Sequence, residues 1–112
     1  KKMMFLIGLS FLITGCVKQY KGTVKLHERN LYIETFNVNP AGVDCHYVTD
    51  SVTFRLYIGK FDNEHENYHY WCRDDSLLVQ KIGCNAFTGN MQVLDSPRSF
   101  SLSELKQQKT FD

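Results

Sequence analysis

Hydrophobic and polar positions alternate most regularly over 51–61, where Val52, Phe54, Leu56 and Ile58 fall on one side of an extended chain and Thr53, Arg55 and Tyr57 on the other. A period of two is the mark of a half-buried strand. The same period appears at 22–28, where Val24 and Leu26 alternate with Lys25 and His27, and strands are also predicted over 31–38, 43–48, 67–73, 77–84 and 91–94. In 77–84 the parity is ambiguous, because Leu77 and Val79 compete with Leu78 and Ile82 for the inner side. Turns are expected at Arg29-Asn30, through Pro40 and Gly42, at Thr49-Asp50, over 62–66, over 73–76 and at Gly89-Asn90, with Asp95-Ser96-Pro97 ending the sheet.

The tail changes period. Ser101 and Glu104 have capping-box spacing, Phe100 and Leu105 match a hydrophobic staple, and Lys106 and Lys109 fall late, where they suit the helix dipole. An edge strand competes here, since Phe100 and Leu102 also alternate with serines. The pattern therefore predicts a mainly β fold, a small antiparallel sandwich or barrel with a short C-terminal helix, after an N-terminal signal peptide. Plentiful Tyr, Phe, Val and Thr agree with strands.

The first residues follow neither period. Lys1 and Lys2 precede a run, 3–14, that is apolar or small throughout. A membrane-spanning helix needs ~20 apolar residues, so this run suits a signal h-region instead. It closes on Leu12-Ile13-Thr14-Gly15-Cys16, which resembles the lipobox of bacterial lipoproteins. The resemblance implies removal of 1–15 and acylation of the Cys16 sulfur and its new amino group by diacylglycerol and palmitate chains. Two or more chains anchor stably at ~0.8 kcal/mol per buried methylene. An aspartate after the cysteine favours inner-membrane retention in such proteins, and here Val17 stands there, which points to the outer membrane rather than the inner and to an envelope protein facing the periplasm or the cell surface. The expected organisation is a signal peptide at 1–15, a lipidated tether at 16–21 and one mostly-β domain at 22–112.

Charge and cysteine usage narrow the function. Net charge is +1 and falls to −1 once Lys1 and Lys2 are removed, so no basic footprint for nucleic acid remains. His65 and His69 are four apart, which on a strand separates them by roughly 13 Å, too far for one zinc, and no metal or other cofactor is expected. No nucleophile elbow or phosphate-cradling glycine loop is present, and the chain is read as non-enzymatic. An oxidising envelope favours one disulfide among Cys45, Cys72 and Cys84. Strand register pairs Cys45 with Cys84 by elimination and sets Cys72 outside the bond.

If 62–66 is a hairpin loop, register places Tyr57 opposite Trp71, Arg55 opposite Arg73 and His69 opposite Gly59. That clusters Trp, Tyr and Arg, the residue types that dominate binding hot spots, on one outer patch. The expected function is a membrane-anchored envelope lipoprotein that binds, caps or inhibits a protein partner. The alternative is a structural accessory lipoprotein of an envelope assembly such as a secretion or pilus complex.

Mass spectrometry of the membrane fraction should find residues 1–15 absent and the protein heavier by its acyl groups, and Cys16→Ser should release or stall it. Intact leader on soluble full-length protein would remove the lipoprotein reading.

Overall fold

The computed structural model describes residues 18–26, 29–38, 42–85 and 87–111. Cys16, the expected leader and the start of the expected tether lie outside them. Among the described residues the alternating pattern becomes eight strands and one helix: β1 (Lys18–Leu26), β2 (Leu31–Val38), β3 (Val43–Thr49), β4 (Arg55–Asp62), β5 (Glu66–Arg73), β6 (Ser76–Cys84), β7 (Met91–Val93), β8 (Arg98–Ser101) and α1 (Leu102–Gln108). β1 to β4 form one antiparallel sheet in chain order, and β6 centres a second, with β5 along one side and β7 and β8 sharing the other. The mainly β, two-sheet architecture with a short C-terminal helix is thus as the pattern predicts.

Each sheet has one apolar face, and the two faces meet. Val48, Phe54, Leu77 and Val79 are fully buried, with Leu31, Ile58, Leu102 and Leu105 completing the core. This resolves the ambiguous parity of β6: Leu77 and Val79 point inward, so Leu78 and Ile82 point out. Burying each such side chain stabilises the fold by ~1.5–3 kcal/mol.

Four expectations are corrected. The strand predicted over 51–61 begins only at Arg55, because the Asp50 carboxylate gathers the amides of Val52 (2.9 Å), Thr53 (2.7 Å) and Phe54 (3.1 Å) into a turn. Val52 is consequently 74% exposed while Phe54 is fully buried. Secondly, 62–66 is no hairpin. Asn63 donates its amide to the Gly42 carbonyl (2.8 Å) and the Cys84 amide donates to the His65 carbonyl (2.8 Å), so the chain crosses here from the first sheet to the second. Thirdly, Pro97 does not end the sheet, since Arg98–Ser101 pairs with β6 before the helix starts. Lastly, β1 already runs from Lys18, so most of the expected tether is strand.

Both readings of the tail are realised in sequence, strand then helix. The Ser101 hydroxyl accepts from the Glu104 amide at 3.3 Å, and Asp75 adds a second cap by accepting from the Ser103 hydroxyl at 2.7 Å. After the helix the chain returns along β4, with the Phe111 amide donating to the Thr53 carbonyl at 3.0 Å and the Arg55 amide to the Thr110 hydroxyl at 3.0 Å. That covers the start of the β4 edge.

Cys45 and Cys84 are not joined. Cys45 is buried in β3 opposite Phe36 and Lys60, whereas Cys84 ends β6 in the other sheet opposite Met91, and both thiols are free. The elimination relied on the same hairpin register that the crossover overturns.

Gly59 sits beside a bulge in the β3–β4 pairing with φ +151, and a Cβ there would collide with the Tyr68 hydroxyl, which reaches over from β5 to donate to the Lys60 carbonyl at 3.2 Å. Gly59→Ala should therefore cost ~1–3 kcal/mol, seen as a lower urea midpoint. Gly22→Ala, with open space around it, should leave the midpoint nearly unchanged.

Candidate functional site

The five residues expected on one patch are divided by the crossover. Arg55 and Tyr57 stand on the outer face of the first sheet, while His69, Trp71 and Arg73 lie on the outer face of the second, where their partners are Gln80, Leu78 and Ser76. Arg55 forms an ion pair with Glu34 (3.0 Å) and carries its guanidinium over the Phe111 ring at 4.9 Å. His69 stacks on Trp71, centroids 5.1 Å apart at 30°. Two of the five thus share one surface and three another, and the structure does not bring them together.

What the first sheet does gather is a line of aromatic rings, one from each strand. Tyr20 of β1 meets Phe36 of β2 at 5.6 Å, Phe36 meets Tyr47 of β3 at 5.6 Å, and Tyr47 meets Tyr57 of β4 at 5.3 Å. Register builds it: Tyr20 lies opposite Phe36, Tyr47 opposite Tyr57, and the Phe36 to Tyr47 step is diagonal. The Lys18 ammonium sits 4.7 Å above the Tyr47 ring and donates to its hydroxyl, the hydrogen bond that raises the Lys18 pKa above its ordinary value. Cys45 belongs to this same outer side yet is 1% exposed, and burial pushes its thiol up, away from the reactive thiolate. The ends of the line remain open, Tyr20 at 61% and Tyr57 at 47% exposure. Sequence reasoning missed Tyr20, Phe36 and Tyr47. The 29–30 and 39–42 turns give Phe36 and Tyr47 one parity, but Tyr20 joins that side only through a register shift between Tyr20 and Gly22, which the alternation does not signal.

A second feature lies between the sheets. A cleft of about 410 Å³ is lined by Val24, Ile33 and Thr35 of the first sheet, Tyr68 and Tyr70 of the second, and the buried Asp44 and His46 of β3. Alternation along β3 turns Asp44, His46 and Val48 inward, so two polar groups are forced into an apolar layer and must be compensated. Asp44 accepts from Lys21 (2.8 Å), Asn37 (3.1 Å) and Asn63 (3.2 Å). Burial alone would raise its pKa, but these three donors outweigh it and hold the carboxyl below its ordinary value. His46 Nδ1 shares a hydrogen bond with the Tyr70 hydroxyl at 2.7 Å, and its ring packs against Phe61 at 4.6 Å. Burial lowers the His46 pKa to about 4 against the opposing pull of Asp44, and burial likewise raises that of Tyr70. Both groups are neutral near pH 7.

The histidines weighed for metal binding take separate places. His65 pairs with Asp62 at 3.1 Å in the crossover, and His69 faces out from β5. Donor atoms of Asp62, Glu64 and His65 lie within 4.8 Å of one another on the exposed surface. The Asp62 carboxylate accounts for that grouping by accepting from the Glu64 amide at 3.0 Å and contacting His65.

Comparison with protein-family models, curated proteins and solved structures finds no match for this chain.

The buried His46 gives a directed pH dependence. Its folded pKa, about 4, lies below the ordinary ~6.5, so the unfolded chain binds the extra proton first and stability falls with acidification between these values. The contribution is fully present above about pH 6.5 and, at a shift of this size, reaches on the order of 3 kcal/mol. Melting temperature should drop from pH 7 to pH 4.5, and the drop should shrink in His46→Gln. An equal drop in both proteins would assign the effect elsewhere.

Proposed function

We propose that this chain is a non-catalytic binding protein of the bacterial envelope, held at the outer membrane by acyl chains on Cys16, that engages a protein partner through the aromatic face of its first sheet. The observation that carries the reading is the continuous line Tyr20, Phe36, Tyr47 and Tyr57, each ring edge-on or tilted to the next and open at both ends. Rings locked by their neighbours and by a sheet lose little conformational freedom on binding, while offering large contact area and phenol hydroxyls for hydrogen bonds. Lys18, Lys25 and Lys60 stand on the same side, with Glu34 already committed to Arg55. A partner with acidic or carbonyl-rich loops fits that surface best.

The lipid anchor supports the same reading from the sequence side. A tethered module needs only modest intrinsic affinity, because anchoring raises the effective concentration of any partner in the same membrane. Capping or inhibiting such a partner is the role this combination suits.

A photo-crosslinking amino acid placed at Tyr20 or Tyr57 should yield a discrete protein adduct in cells, while the same residue at Phe87, fully exposed on the β6–β7 loop, should not. Tyr57→Ala should cost ~2 kcal/mol or more of partner affinity with an unchanged melting temperature. Adducts with phospholipid alone would overturn the protein-partner reading.

A further inference from the structure

The cleft between the sheets takes no part in that surface and has a chemistry of its own. One wall is aliphatic, Val24 and Ile33, and it opens to solvent, since Val24 is 65% exposed. The wall across from it is aromatic, Tyr68 and Tyr70. Between them lie Thr35, Asp44 and His46, with the exposed Asn63 at the rim.

Charge limits what can enter. Asp44 is compensated by Lys21 at 2.8 Å, and burial keeps His46 neutral near pH 7. A net-charged ligand would shed its water there without gaining an unpaired counter-charge among the residues that line the cleft. A purely apolar ligand fails for the opposite reason, because it would cover the Thr35 hydroxyl and offer it no partner. The cleft therefore calls for a small uncharged body with apolar faces and a hydrogen-bonding edge. A pyranose ring has that form: its C–H faces match an aliphatic wall on one side and phenol rings on the other, and its hydroxyls both donate and accept. Its size also fits, for about 410 Å³ lies within the ~300–1,000 Å³ of small-ligand sites and takes one or two rings.

We propose that this inter-sheet cleft is a binding site for a neutral saccharide, held by Thr35, Asn63 and the Asp44–His46 floor between the Val24–Ile33 and Tyr68–Tyr70 walls. The two sheets make it jointly: Thr35 lies opposite His46 in the first, and Tyr70 of the second fixes the His46 ring. Asn63 is supplied by the crossover itself, so the segment that joins the sheets also completes the rim.

The test is titration of the full chain, kept in a non-glycosidic detergent, with glucose, N-acetylglucosamine and their β-1,4-linked dimers, followed by amide chemical shifts. Glucuronate serves as the charged control. At least one neutral sugar should give saturable shifts at Thr35, His46 and Tyr68 with a Kd on the order of millimolar. Thr35→Val and Asn63→Ala should each weaken it about tenfold, the loss of one ligand hydrogen bond, while Tyr57→Ala leaves it unchanged. If Asn63→Ala lowers the melting temperature through Asp44, the isosteric Thr35→Val decides. The proposal is overturned if no neutral sugar gives saturable shifts, if glucuronate binds as tightly, if Thr35→Val binds like the unsubstituted chain, or if the shifts centre on Tyr20 and Tyr57.

Discussion

Val48 of the first sheet and Phe54, just before β4, must meet Leu77 and Val79 of the second with no solvent between them, and most other features of the molecule are set by that contact. A single antiparallel sheet of four strands leaves one apolar face wet, and the remedy here is a second sheet laid on it. The chain reaches that second layer through 63–65, whose backbone bonds to Gly42 and Cys84 tie one end of each sheet to the other. Tyr68 needs the room left by Gly59, and Arg98 reaches back to donate to the Ile58 carbonyl at 3.0 Å. Inter-sheet contact is thus reinforced at its rim by polar bonds that only one relative placement satisfies.

Strands were legible from alternation, strand-forming residues and turn signals together, since each of them except the short β8 is predicted within about four residues of its bounds. The capping box was legible too, because Ser101 and Glu104 act locally. What the pattern could not distinguish was a hairpin from a crossover at 62–66. Both are short polar connections between two extended segments, and the difference lies in where Asn63 and His65 send their backbone hydrogen bonds, which is a long-range matter. That one ambiguity carried the errors in the candidate site, dividing Arg55 and Tyr57 from His69, Trp71 and Arg73 and removing the basis for pairing Cys45 with Cys84. Asp50 misled in a smaller way, ending the alternation of 51–54 by capturing three amides with one carboxylate.

The polar residues of β3 show how a strand can carry two kinds of surface at once. Its inward positions, Asp44 and His46, are buried and therefore obliged to pair, which produces a cleft of fixed polarity between the layers. Its outward positions, Cys45 and Tyr47, contribute to the aromatic line. The sheet backbone separates the two sets of side chains. Each surface therefore presents its own chemistry, and the two can serve different ligands.

The early start of β1 bears on the proposed attachment to a membrane. Lys18 is already paired with Val38, and only Val17 separates it from Cys16. Two residue steps span at most ~7 Å, about the thickness of one headgroup layer. With acyl chains on Cys16 the domain would have no leash on which to turn or extend. It would instead be fixed edge-first on the bilayer by the corner of its first sheet, with Tyr20 close to the headgroups and Tyr57, on the opposite edge strand, farther away. A partner would then be met by lateral diffusion within a thin layer, in an orientation already half decided, and encounter would become a two-dimensional search.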